Sequence, residues 1–174
     1  MEFRPADTWL HLFDECRRSA FHMEVRDSYA EPSESEPLRR FLRGESGDYD
    51  KSDWTSLIRG MTSRDVVVSR IRVITEPHSD YQRWLLSVTG ESVDAGEDIR
   101  YIGRSSVDPL LVPADDWWIF DDELVAFNLS DTDGKPAGAA ITTDPGIVTR
   151  CRNVKETLWP LSTKFYDYYT ERVK

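Results

Sequence analysis

Two pairs of neighbouring aspartates are the residues of this chain that come nearest to a chemical motif. Asp115-Asp116 and Asp121-Asp122 flank the apolar run at 117–120. Paired carboxylates can hold a cation, but adjacent strand residues point to opposite faces of a sheet. A turn or a solvated strand end therefore explains each pair better than a metal site. We predict no metal site and no catalytic residue here.

Other catalytic and cofactor-binding patterns are also missing from the sequence. His11, His22 and His78 are far apart and have no metal-ligand spacing. His11 falls beside a helix stripe and His22 opposite the core face of a strand, so each is interpreted as a solvated or hydrogen-bonded histidine. The glycines form no phosphate-binding loop, and no Gly-x-Ser-x-Gly elbow occurs. No cofactor is expected.

Polar residues at predicted strand ends form the candidate ligand site, because ligands of open α/β sheets sit beyond the carboxyl ends of parallel strands. The candidate ligand-binding residues are Arg26, Asp27, Glu76, His78, Asp80, Tyr81 and Arg100, with Tyr29 and Tyr101 beside them. An internal salt-bridge network plus a helix cap would use the same residues, since an acid such as Asp80 suits the first turn of a helix. Both interpretations stay open.

Alternating helical and strand patterns predict an α/β fold with one mixed sheet flanked by helices, a C-terminal antiparallel meander and a final helix. Helices are predicted near 7–18, 38–44, 54–61, 79–88 and from 145 onward, with a surface loop at 31–37; strands are predicted near 21–25, 66–74, 99–102, 117–120, 124–129 and 139–142. The β-branched run 66–74 predicts a central strand covered on both faces by the first, third and fourth helices. Arg70 and Arg72 share one face of that strand and must reach solvent or acids.

Composition limits the class of protein. The 174 residues fit one domain, 1–174, and a net charge of −10 disfavours direct binding to a nucleic acid. Cys16 and Cys151 are expected in the core as free thiols. No export signal and no stretch of about 20 apolar residues is found, so a cytoplasmic location without membrane contact is expected.

Two resemblances add context. The blocks that carry the first are Glu24-Val25-Arg26-Asp27, Pro37-Leu38-Arg39-Arg40-Phe41-Leu42, Ser79-Asp80-Tyr81, Gly96-Glu97-Asp98-Ile99-Arg100-Tyr101 and Trp118-Ile119-Phe120-Asp121-Asp122. Over nearly the whole chain, they resemble an uncharacterised actinobacterial family, a domain of unknown function commonly encoded beside helix-turn-helix regulators. The resemblance implies that context and no reaction.

The second resemblance concerns the fold. The strands at 66–74 and 99–102, the strand that ends in Asp121-Asp122 and the segment Glu156-Thr157-Leu158-Trp159 are similar to phospholipase D-like domains, whose non-catalytic versions serve as ligand sensors. Catalysis in that superfamily needs a His, a Lys two residues later and an Asp five residues beyond the Lys. Ala114 and Asp116 occupy the His and Lys positions if Asp121 is the Asp, and Asp115 and Trp117 occupy them if it is Asp122. That catalysis is therefore not expected.

The sequence favours a non-enzymatic regulatory or interaction protein, a ligand-sensing partner of a helix-turn-helix transcription regulator. An acidic chain attracts a basic partner. The alternative is a small-molecule or phosphoester enzyme with a site around Glu76, Asp80 and Tyr81. A small-molecule ligand and a homodimer remain options, the latter through the aromatic residues at 165–169, which otherwise pack back onto their own domain.

Overall fold

The fold, as a computed structural model, is described for residues 1–5 and 9–172. The strands are β1 (Glu2–Arg4), β2 (Ser19–Glu24), β3 (Val67–Ile74), β4 (Asp98–Gly103), β5 (Trp117–Phe120), β6 (Leu124–Ser130), β7 (Pro136–Thr142) and β8 (Thr163–Lys164). The helices are α1 (Leu12–Glu15), α2 (Ser35–Leu42), α3 (Ser52–Thr62), α4 (Asp80–Val88), α5 (Gly90–Asp94), α6 (Pro145–Leu158) and α7 (Phe165–Arg172). The strands form one mixed sheet in the order β1-β7-β6-β5-β2-β3-β4-β8. The predicted α/β class is confirmed.

Strand β3 lies inside the sheet, as predicted, with parallel neighbours β2 and β4 on its two sides. The register pairs His22 with Arg70 and Glu24 with Arg72. Strands β5, β6 and β7 continue the sheet as the predicted antiparallel meander. The sheet therefore brings alternating residues of β2 and β3 side by side.

The two faces of the sheet have different covers. On one face, Phe21 and Ile71 pack in a cluster with Val148 and Cys151 of α6. On the other, Phe13 of α1 and residues of α3 pack against Ala20 and Val68, and α4 contributes Leu86 to a cluster with Ile74 and Ile99. The prediction that the first, third and fourth helices cover both faces is wrong, because these helices share one face and α6 covers the opposite one.

The start of the chain departs from the predicted helix near 7–18. A 3-10 turn at Trp9–His11 leads into the four-residue helix α1, and residues 7 and 8 lie outside the described residues. The helix ends early because the carboxylate of Asp121 accepts hydrogen bonds from the backbone N–H groups of Arg17, Arg18 and Ser19, which leads the chain into β2. The loop predicted at 31–37 is also shorter: α2 begins at Ser35 with Pro37 in its first turn, where the missing N–H costs no helical hydrogen bond.

Several local predictions are confirmed. Asp121 and Asp122 have φ of 55° and 58°, the left-handed values of a tight hairpin turn between β5 and β6. The helix predicted near 79–88 is present as α4: the Ser79 hydroxyl caps it by accepting from the backbone N–H of Gln82 at 3.2 Å, and the Gln82 amide donates to the Arg26 carbonyl. Both cysteines are buried free thiols. The sequence patterns missed β1 and β8, the outermost strands.

The C-terminal aromatic residues pack mainly on their own chain. Phe165 and Tyr168 are buried, and the Tyr168 ring stacks on Tyr101 of β4 with centroids 4.8 Å apart. Tyr166 is exposed and its hydroxyl donates to Asp94 at 2.6 Å. Of the helices in the described portion, none has the length and hydropathy needed to cross a bilayer.

Candidate functional site

A cavity of about 400 Å³, lined by both charged and aromatic side chains, lies on the α3 and α4 side of the sheet. A second cavity of about 210 Å³ adjoins it. The residues that line both are His22, Glu24, Glu34, Tyr81 and Asn128. The first cavity falls within the range of about 300–1,000 Å³ that is usual for small-molecule sites.

The floor of the larger cavity is a buried ion network on β2 and β3. Arg70 donates from Nε to Glu97 Oε1 at 2.7 Å and from Nη1 to Glu24 Oε1 at 2.6 Å. Arg72 donates from Nε to the other oxygen of Glu24, and from Nη1 to Thr89 at 2.7 Å and to the hydroxyl of Tyr101 at 2.8 Å. The arginines are 8% and 7% exposed, so the acids that they were predicted to need are supplied inside the fold.

Charge in this network is balanced. Two arginines face two carboxylates, Glu24 and Glu97. Burial opposes ionisation of Glu24, but the neighbouring guanidinium groups of Arg70 and Arg72 outweigh it and hold the pKa of this carboxyl well below its usual range. Burial likewise opposes the charge of Arg72, while Glu24 and Tyr101 raise its pKa above the ordinary value. Glu24, Arg70 and Arg72 therefore stay ionised at neutral pH.

His22 is the least satisfied group of the cavity. Burial, reinforced by Arg70, lowers the pKa of its imidazole well below the ordinary value, so the ring is neutral. Nε2 lies 3.5 Å from the amide nitrogen of Asn128, whereas Nδ1 has no hydrogen-bond partner among the described residues and lies 3.8 Å from Glu24 Oε1. The amide oxygen of Asn128 is also unpaired within that part of the chain. A buried polar group without a partner costs about 1–3 kcal/mol.

The open side of the cavity is formed by α3, α4 and the segments that precede α2 and α3. The Trp54 indole donates to Glu97 at 3.1 Å, and Glu34 accepts from the hydroxyls of Tyr81 at 2.5 Å and Tyr49 at 3.3 Å. Burial raises the pKa of Glu34. Lys51 donates to the Val88 carbonyl, and its pKa is lowered to about 8 by burial and, secondarily, by Arg72.

Asp116 lines the smaller cavity. The prediction that it lies at a solvated strand end is wrong, because the residue is buried. It is 3% exposed, and its carboxylate accepts the backbone N–H of Val25 at 2.8 Å. Burial raises its pKa to about 6. Its neighbour Asp115 is the surface member of the pair and forms a salt bridge with Arg26 at 3.2 Å.

The seven residues predicted to bind a ligand are not gathered in one place. Arg26 and Tyr81 line a cavity. The others make internal contacts: Asp27 accepts from the backbone N–H and hydroxyl of Thr75, Glu76 and His78 share the hydroxyl of Tyr168, Asp80 pairs with Arg83, and Arg100 pairs with Asp98 and stacks 3.8 Å over Trp159. Their ligand-binding role stays a prediction.

Sequence reasoning missed the cavity residues on the sheet itself. The available signal was the spacing of two residues between His22 and Glu24 on β2 and between Arg70 and Arg72 on β3, which places each pair on one face of the sheet. Among the described residues, no group of three or more His, Cys, Asp or Glu side chains is placed to hold a metal ion.

Comparisons with known proteins give one family and a distant structural likeness. None of the curated proteins compared with the chain matches it. The chain is similar to the solved structure of TrmBL2, described as an archaeal chromatin protein that shows a novel mode of DNA binding, with 12% identity and a TM-score of 0.48. That match covers 88% of this chain and 48% of the other, so the chain spans about half of that protein's length.

The family comparison agrees with the resemblance found in the sequence, which is confirmed at the level of an uncharacterised family. Residues 7–170 match a family model, and the match includes every strand that contributes to the cavity floor. The chain belongs to the family described as Domain of unknown function (DUF6879).

Proposed function

We propose that this protein is a non-enzymatic regulatory protein that binds a small polar molecule in the larger cavity and acts through a basic helix-turn-helix partner in the cytoplasm. One observation carries the proposal: two buried arginines line a cavity while each keeps one terminal nitrogen, Nη2, that donates no hydrogen bond to a described residue. The occupant of the cavity would complete this network.

Stability alone gives a poor reason for such a network. Replacing a buried ion network by packed apolar side chains is often neutral or stabilising by about 1–4 kcal/mol, because the desolvation of charges is costly. Buried charges with shifted pKa values beside a cavity are instead typical of functional sites. The unpaired Nδ1 of His22 supports the same conclusion, since a core built only for stability would satisfy it.

The enzymatic alternative has less support. It required Glu76, Asp80 and Tyr81 to converge, but Glu76 bonds to Tyr168, Asp80 pairs with Arg83 on the helix surface, and Tyr81 points to Glu34. A general acid–base pair must lie within hydrogen-bond reach of one substrate. The proposal therefore assigns recognition and no turnover to the site.

Ligand binding is tested by thermal unfolding of the purified protein against a library of small polar metabolites. We expect at least one compound to raise the melting temperature, because a ligand that binds only the native state stabilises it. Tyr81→Phe should weaken this shift, while Tyr166→Phe, which removes a surface hydroxyl, should leave it unchanged. A library without any stabilising compound, or catalytic conversion of the compound that binds, would refute the proposal.

The partner is tested with a purified basic helix-turn-helix regulator, for which we expect a gene beside the one for this protein. The net charge of −10 predicts an association rate that falls as salt is added. Asp115→Lys should slow association if the exposed member of the Asp115-Asp116 pair faces the partner, whereas Asp133→Lys in the β6–β7 turn serves as the charge-matched control. Absence of binding at low salt would remove the partner from the proposal.

A further inference from the structure

The charges around the larger cavity disfavour an anionic ligand. Arg70 and Arg72 are balanced by Glu24 and Glu97. The remaining charged lining residues are Glu34, Asp50, Asp53 and Lys51, so acids exceed bases at the walls. A carboxylate or phosphate would enter a cavity whose two arginines already have acidic partners and whose other charges are mostly negative.

Cations of the chain already lie over the Trp54, Trp118 and Tyr49 rings of the cavity. The guanidinium carbon of Arg70 lies 5.5 Å from the Trp54 ring centroid and 5.7 Å from that of Trp118, and Lys51 Nζ lies 5.1 Å from that of Tyr49. The imidazole of His22 is stacked on Trp118 with centroids 4.2 Å apart. A cationic ligand would have to compete with these contacts, and a flat aromatic ligand would have to displace them.

The hydrogen-bonding groups of the cavity that lack partners among the described residues include both a donor and an acceptor. With Nε2 of the neutral imidazole facing the Asn128 amide nitrogen, Nδ1 is a donor that finds no acceptor among the described residues, and the Asn128 oxygen is an acceptor that finds no donor among them. Turning the Asn128 amide exchanges these roles and still leaves one free donor and one free acceptor. The Nη2 groups of Arg70 and Arg72 add further donors. A hydroxyl group both donates and accepts, so it can pair with any of these atoms.

We propose that the cavity binds a neutral polyhydroxylated ring, a free sugar or a cyclic polyol, with His22 and Asn128 contacting its hydroxyl groups; this inference rests on the proposed function. The ligand chemistry follows from three observations: the acidic walls and paired arginines disfavour an anion, the chain's own cations lie over aromatic rings of the cavity, and one donor and one acceptor are unpaired among the described residues. The hydroxyls would form hydrogen bonds with His22 and Asn128, which lie at the wall that both cavities share.

The test is calorimetric titration of the purified protein with neutral ligands, namely glucose, galactose, ribose, sucrose and myo-inositol. Glucuronate, glucose 6-phosphate and glucosamine are the charged counterparts. We expect a neutral compound to bind and its charged counterparts to bind more weakly. Asn128→Ala should weaken binding by about threefold to tenfold, the loss of one hydrogen bond, while Asn153→Ala on the opposite face should not change it. If Asn128→Ala fails to fold, Asn128→Ser carries the test.

The outcomes separate this inference from the proposed function. Binding of a neutral polyol that is weakened by the Asn128 variant and not by the Asn153 variant supports both. Preferential binding of a charged counterpart, or of a metabolite that is not a polyol, overturns the ligand class and leaves the proposed function standing. Failure of all the neutral compounds overturns the inference, and failure of the wider metabolite library overturns the proposed function as well.

Discussion

The two faces of strands β2 and β3 differ in chemistry and in what lies against them. One face carries Phe21, Met23, Ile71 and Val73, which pack in a hydrophobic cluster with residues of α6. The other, shifted by one residue, carries His22, Glu24, Arg70 and Arg72 beside a cavity. Since both faces belong to the same strands, backbone geometry is shared and only the side chains differ. The apolar face therefore provides stability, while the polar face keeps costly buried groups, for which we propose a use in ligand binding.

The largest effect is expected from Glu24→Gln on the polar face. Glu24 holds both arginines, so loss of its charge leaves two buried cations with one carboxylate, Glu97. Breaking a buried ion network in this way costs about 3–5 kcal/mol. Urea unfolding measures the change. Glu123→Gln, which affects an exposed salt bridge with Arg18, is the control and should have no measurable effect.

Shortening a buried side chain on the apolar face should lower the free energy of unfolding by about 2–5 kcal/mol. Ile71 is fully buried, and Ile71→Ala removes packed methyl groups and leaves a cavity. Val67→Ala is the matched control on the same strand, because Val67 is 60% exposed, and its effect should stay within about 0.5 kcal/mol. Ligand binding by the Ile71 variant, measured while it is folded, should be retained. Loss of binding there would break the division of roles between the faces.

The raised pKa of Asp116 should make the stability of the fold depend on pH. Its pKa rises from 3.8 to about 6 on folding, so its proton stabilises the fold fully below pH 3.8 and this stabilisation is lost as the pH rises through about 6. Asp116→Asn should abolish this slope and be more stable than the native protein at neutral pH by up to about 3 kcal/mol, at about 1.4 kcal/mol per pKa unit. Urea unfolding near pH 4 and pH 7 is the measurement. Asp115→Asn, at the surface, should keep the native slope.

The smallest effect is expected at the cap of α4, a helix that walls the cavity. Ser79→Ala removes the hydroxyl that accepts the Gln82 N–H and should cost about 1 kcal/mol. Ser87→Ala, on the exposed side of the same helix, should instead leave stability unchanged or raise it slightly, because Ala has the higher helix propensity. Thermal unfolding compares them. Equal losses for the two variants would contradict a specific capping role.

Sequence patterns predicted the main elements because those patterns are local. The β-branched run at 66–74 predicted β3, and local helical and strand patterns predicted α4 and the antiparallel meander. The site could not be predicted in the same way. Its floor depends on the register that sets His22 beside Arg70 and Glu24 beside Arg72, and register is a relation between distant segments. The rule that ligands bind at strand ends predicted a site that includes Glu76 and Asp80. The cavity instead lies over the middle of the sheet, on β2 and β3.

The pairing of Ala20 with Phe120 across β2 and β5 has a consequence for how the protein is made. During synthesis at about 5–20 residues per second, β2 leaves the ribosome roughly 5–20 seconds before β5. Even after β3 has joined it, the other edge of β2 presents unpaired backbone groups, which invite pairing with other chains. A truncated messenger RNA that ends before codon 117 would therefore yield an aggregation-prone fragment rather than a smaller functional protein.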